Sequence, residues 1–254
     1  MPEPQFHSIR VGNPDAPLLV FGHGWNRTRA DVFGLSEVLG DQADVLALDF
    51  PGFGEAARPD EVWDTRAYAK WVDGQLSALG KPYVWMGHSF GGRVGLRLGA
   101  MKARGLRSLI LVGSAGLKRE RQGVELWRFR ARKYGYQLLK RFADSEGRAK
   151  LRQQFSSADY LLRPDLQDIF VATVSEDQSS ELTKIAAPTS VVVGELDTEA
   201  PPEIARRIHS GIKGSSYVEL PGIGHLDVLT RSRQVLAKIA LEHLNADYMN
   251  KEAA

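Results

Sequence analysis

The sequence predicts an α/β protein built on a mostly parallel, doubly wound sheet of about seven strands, and three observations carry that prediction. Short, continuous apolar runs alternate with segments of helical periodicity, most runs end in glycine, proline or an acidic turn residue, and one long helical stretch without a strand interrupts the alternation. Continuous apolar runs are what strands buried on both faces require, and the helices between them supply the crossovers that parallel pairing needs.

Phe6 to Val11 alternates as an edge strand. Pro17 to Phe21 is an apolar run closed by Gly22, and helical spacing follows over Val32 to Leu39. Val45 to Asp49 is the next strand, ended by Pro51, Gly52 and Gly54. Tyr68, Trp71, Val72, Gln75, Leu76 and Leu79 place a helix over Thr65 to Leu79. Tyr83 to Met86 is a strand, Gly91 to Met101 a helix beginning just after it, and Ser108 to Val112 a further strand. The pattern resumes with strand Thr189 to Val193, a helix from about Pro202 to His209, strand Tyr217 to Leu220 and a last helix over Ser232 to Leu244.

Between these halves, Trp127, Ala131, Tyr134, Leu138 and Phe142 form one apolar stripe at helical spacing. Leu166, Ile169, Phe170, Thr173 and Val174 form another, with Pro164 suited to a first helical turn. Residues 115–187 therefore read as a helical cap inserted into a core made of 1–114 and 188–254. From Lys118 to Arg152 basic residues outnumber acidic ones, a run read first as a solvated helix face, with an anion-attracting field as the alternative.

A chain of 254 residues, 43% hydrophobic and 25% charged, can bury one large core. No basic start followed by an apolar run marks a signal peptide, and no apolar stretch approaches bilayer-spanning length, so stable membrane insertion is not expected. The absence of cysteine removes thiol nucleophiles and thiolate metal sites and fits a cytoplasmic location. A net charge of +2 gives no reason to expect nucleic acid as a partner. Histidines at metal-ligand spacing, a phosphate loop and a dinucleotide fingerprint are all missing, so neither metal nor cofactor is expected and the partner is a small-molecule substrate. Oligomeric state is not written in the pattern.

The strongest chemical signal is Gly87-His88-Ser89-Phe90-Gly91, followed by Gly92, between a predicted strand and a predicted helix. A serine on so sharp a turn is lifted clear of the sheet at a helix N-terminus, where developing negative charge is favoured. Its hydroxyl needs an adjacent base, itself oriented by a carboxylate. His225, after the late strand and in Gly222-Ile223-Gly224-His225, is the best-placed histidine. For the acid, Gly194-Glu195-Leu196-Asp197 follows strand Thr189 to Val193, and Asp197 is preferred on reach, with Glu195 kept as an alternative and Asp227 read as a turn or helix-start residue. The backbone amides of Phe90 and Trp25 are candidates for an oxyanion hole. His23, Gly24 and His88, beside them, are candidates for substrate contact.

Taken with Asp49-Phe50-Pro51-Gly52-Phe53-Gly54 and Phe21-Gly22-His23-Gly24-Trp25, these motifs stand in an order that resembles the α/β-hydrolase superfamily, in its cap-bearing branch that includes many bacterial esterases. The likeness covers nearly the whole chain. It implies a cap inserted after the sixth strand of the family's scheme and a triad in the order Ser, Asp, His. Where the family's sheet begins with two antiparallel strands, this chain has clear room for one before Pro17. Relatives that cleave carbon–halogen bonds or epoxides carry aspartate in place of Ser89, which argues against those reactions. The leading expectation is hydrolysis of carboxylic esters through an acyl-enzyme. Carbon–carbon hydrolysis, other serine-dependent acyl hydrolysis (lactonase, amidase, perhydrolase) and a non-catalytic ligand-binding role remain as alternatives.

Overall fold

A computed structural model of the chain describes residues 5–120 and 158–252, together with residues 123, 127, 131, 134, 135, 138, 139 and 141. Seven strands, β1 (Ser8–Gly12), β2 (Leu18–Gly22), β3 (Asp44–Leu48), β4 (Tyr83–His88), β5 (Leu106–Val112), β6 (Thr189–Gly194) and β7 (Ser216–Leu220), form one sheet. Their order is β1-β3-β2-β4-β5-β6-β7, with β1 antiparallel to β3 and every other pair parallel.

Alternating side chains divide the core into two layers. Leu18, Val20, Trp85, Leu109, Leu111, Val191 and Val193 join one cluster, which includes residues of helices α2 (Thr65–Ser77) and α3 (Phe90–Ala100). Leu19, Phe21, Val84, Met86, Ile110, Val112 and Val192 join the other, with α1 (Phe33–Leu39) and the C-terminal helix. Strands β2, β3 and β4 are buried along their whole length, which explains why they are unbroken apolar runs in the sequence.

Between β5 and β6 lie α4 (Ala158–Leu162), a 3-10 turn Pro164–Leu166, α5 (Gln167–Ser175) and a 3-10 stretch Ser179–Lys184. This segment contains no strand among the described residues. Of the two stripes expected here, Leu166, Ile169 and Thr173 are buried, whereas Trp127, Tyr134 and Leu138 are exposed and Phe142 lies outside the described residues. Most of the basic run also lies outside them, and Lys118, Arg119 and Arg141 are exposed.

After β6 come α6 (Pro202–Gly211), α7 (Asp227–Arg231) and α8 (Arg233–Glu252). The last helix, expected over Ser232 to Leu244, is α8. The short α7 was not expected, and Ser232, with φ −118° and ψ 20°, separates it from α8. No helix of the described residues is long and apolar enough to cross a membrane.

The chain runs from β2 outward to β3, then returns across β2 to β4. The sheet thus reverses its direction of growth between β2 and β4, and at such a point the loops at the carboxyl ends of the two strands diverge and leave a crevice. The Gly22–Trp25 loop and the Ser89 turn leave the sheet there.

Candidate active site

Ser89 sits between β4 and α3 with φ 50° and ψ −104°, a conformation few non-glycine residues adopt. Close packing holds it there. A Cβ on Gly87 would stand 2.2 Å from the Gly91 carbonyl oxygen, and one on Gly91 would stand 2.1 Å from that of Gly22. The Gly91 amide donates to the His23 carbonyl at 3.0 Å and that of Ser89 to the Val112 carbonyl at 2.9 Å, so the turn is fastened to the ends of both β2 and β5. Glycine at 87 and 91 is therefore a requirement of backbone contact.

Phe90 opens α3, so its amide is among those a helix leaves without an internal acceptor. Trp25, on the β2 loop, lines the same recess as Ser89 and Phe90. Its indole packs edge-on against Phe53, Phe90 and Phe170 at centroid distances of 4.9, 5.5 and 5.0 Å, which fixes the loop against both core and insertion.

Asp197 and His225 arrive on the loops after β6 and β7. Both are buried, at 3% and 9% exposure. Asp197 Oδ1 accepts the amides of Glu199 and Ala200 at 2.9 and 2.8 Å, which orients Oδ2 to accept from His225 Nδ1 at 2.7 Å. With Nδ1 carrying that proton, Nε2 is the basic nitrogen. The alternative acid, Glu195, is turned elsewhere and accepts the Gly222 amide at 2.8 Å. Asp227 begins α7 and accepts the Gly224 amide at 3.3 Å.

The two other histidines of the site differ in what they face. His23 is fully buried, donating from Nδ1 to the Gly24 carbonyl at 2.7 Å and accepting the Phe50 amide on Nε2 at 3.1 Å. His88 is fully buried too, and its Nε2 donates to the His225 carbonyl at 3.1 Å. Burial pulls their pKa values down to about 4 and about 3, so both are neutral braces of neighbouring loops. Of these two expected substrate contacts, His23 spends both ring nitrogens on the protein's own backbone and is a support, whereas His88 lines the smaller recess and its Nδ1 has no hydrogen-bond partner among the described residues. Gly24 does face a recess.

Two recesses meet at Trp25, Ser89 and Glu199. The larger, about 400 Å³, is lined also by Arg93, Phe170 and Thr173; the smaller, about 180 Å³, by Gly24 and His225. Sequence reasoning missed Glu199. It lies two residues past Asp197, and its Oε2 stands 3.4 Å from His225 Nε2, although 58% of its side chain is exposed. Among the described residues no three histidine or carboxylate side chains converge as a metal site would require.

A model of the Alpha/beta hydrolase family matches residues 19–239. The chain belongs to that family. Among curated proteins this alpha/beta hydrolase is 26% identical to an uncharacterized hydrolase, YugF, of Bacillus subtilis, over 84% of this chain and 85% of that one. It is 27% identical to a pimeloyl-[acyl-carrier protein] methyl ester esterase of Neisseria meningitidis, over 90% of this chain and 93% of the other. Among solved structures, the enol-lactonase of Burkholderia xenovorans superposes with a TM-score of 0.69 at 22% identity, covering 94% of this chain and 96% of that one, which speaks for the fold.

Proposed function

We propose that this alpha/beta hydrolase is a serine hydrolase that cleaves carboxylic esters through an acyl-enzyme. In this reading Ser89 attacks the carbonyl while His225 Nε2 takes its proton, Asp197 holds the imidazole, and the Trp25 and Phe90 amides stabilise the oxyanion. His225 then returns the proton to the leaving alcohol, and water, activated by the same nitrogen, releases the acid.

The observation that carries the proposal is the 2.7 Å contact between His225 Nδ1 and Asp197, placed at a recess lined by a backbone-strained serine. Two recesses sharing Ser89 suit a substrate with a group on either side of the scissile bond. The esterase among the relatives supports the same chemistry. Residues 115–187 serve in this reading as a cap over a core of 1–114 and 188–254.

Fluorophosphonate labelling combined with a graded panel of p-nitrophenyl esters tests this. Labelling and turnover are expected in the native chain, with turnover lost by about a millionfold, or to background, in Ser89→Ala. A native protein that neither labels nor hydrolyses any ester would refute the proposal.

A further inference from the structure

Arg93 and Arg97 lie one turn apart on α3 and meet different surroundings. The Arg97 guanidinium is fully employed: Nε donates to Thr65 Oγ1 at 3.0 Å, Nη1 to Glu181 at 3.0 Å and Nη2 to Glu176 at 3.2 Å. Arg93 stands one turn beyond Ser89, its amide donating to the Ser89 carbonyl at 3.2 Å. Arg93 lines the larger recess together with Ser89. Its one side-chain hydrogen bond among the described residues runs from Nη1 to the Thr173 carbonyl at 3.2 Å, and no carboxylate there lies within ion-pair distance.

Burial pulls the pKa of Arg93 down to about 10, and the charge of Glu176 works the other way. That carboxylate is already shared between Arg97 and Thr65, and Glu181 is shared among Arg66, Arg97 and Lys184. Behind the recess wall, four cations thus face two carboxylates. A guanidinium stripped of part of its water and left with unused donors is a fork suited to a carboxylate. Glu199 also borders the recess, but more than half of its side chain is in water, which screens its repulsion far more than the field of Arg93 is screened.

Resting on the serine-hydrolase reading, we infer that Arg93 forms an anion subsite in the larger recess, which selects esters carrying a free carboxylate. The carboxylate is bound by the guanidinium fork while the ester carbonyl lies over Ser89.

Paired substrates read this out: monomethyl adipate against dimethyl adipate places the carboxylate on the acyl side, and acetoxyacetate against its methyl ester places it on the alcohol side. In the native protein one monoanion is expected to exceed its neutral partner in kcat/KM, and which pair does so assigns the side. Arg93→Met is expected to lower that preference by roughly ten- to hundredfold while fluorophosphonate labelling persists, and Arg93→Lys is expected to keep part of it. Should Arg93→Met not fold, competitive inhibition of the native protein by adipate, but not by 1,6-hexanediol, replaces it.

Equal monoanion-to-neutral ratios in the native and Arg93→Met proteins, or the absence of adipate inhibition, would overturn the inference. Calorimetric binding of adipate to Ser89→Ala, lost in Ser89→Ala/Arg93→Met, separates the two readings. Such binding in a protein that never labels would sink the hydrolase and leave the anion subsite standing.

Discussion

Asp44 and Asp197 are buried carboxylates at opposite ends of the sheet, and their partners give them opposite roles. Asp44, at the start of β3, is bound by Arg10 Nε at 2.7 Å and by Lys81 Nζ at 2.9 Å, and Lys81 also ties down the carbonyls of Pro14 and Ala16. Its partners are a guanidinium and an amine of the neighbouring elements, so the cluster ties β1 and the β1–β2 turn to the edge of the sheet. Asp197 fixes one oxygen on two amides and offers the other to an imidazole, the side chain whose charge changes near neutral pH. The carboxylate is common to both ends; a titrating partner beside a recess is what makes one of them a candidate for catalysis.

Exchanging the carboxylate for an amide at each end should break that contrast. Asp197→Asn is expected to lower kcat/KM by about 10⁴ with little change in melting temperature, because an amide no longer enforces the tautomer with Nδ1 protonated. Steady-state kinetics alongside a thermal melt checks it, and parallel losses of activity and stability would tell against the assignment.

Asp44→Asn should do the reverse, costing about 1–2 kcal/mol of stability and leaving kcat/KM unchanged. Burial works against the charge of Asp44, but its bonds to Arg10 and Lys81 outweigh it and hold the pKa below the usual carboxylate range. A depressed folded-state pKa gives stability that is present above the unfolded value, about 4, and lost as pH falls through the folded one. Urea unfolding should therefore show the native and Asp44→Asn proteins converging below about pH 4.

The smallest effect is expected at Glu199. A carboxylate oxygen 3.4 Å from His225 Nε2 competes with Ser89 for that nitrogen. Glu199→Gln should change kcat/KM by no more than about threefold in steady-state kinetics, and added salt should erase most of that difference.

What the sequence made legible were features imposed by the backbone. Strands buried on both faces must be apolar throughout, so β2 through β6 stood out, and glycine at 87 and 91 is demanded by contact with main chain. The loops after β6 and β7 placed Asp197 and His225 within a few residues of strand ends. Side-chain direction was less legible. His23 is flanked by the right residues but turns inward, and Arg93 and Arg97 look alike until Glu176 and Glu181 are brought beside one of them. Glu199 gave no periodic signal because it belongs to an irregular turn. The short α7 was missed because five residues carry too little periodicity to mark a helix.

The described segment between β5 and β6 is also fastened to the rest of the chain at several places. Arg58 donates to the Asp165 carbonyl at 2.9 Å, Arg163 to that of Gly52 at 2.7 Å, and Glu176 accepts the Thr65 amide at 3.0 Å. The stretch from Arg163 to Lys184 is thereby a fixed wall rather than a door. Ligand traffic past Phe170 and Thr173 must go around this stretch, and in amide exchange it should open only when the central sheet does.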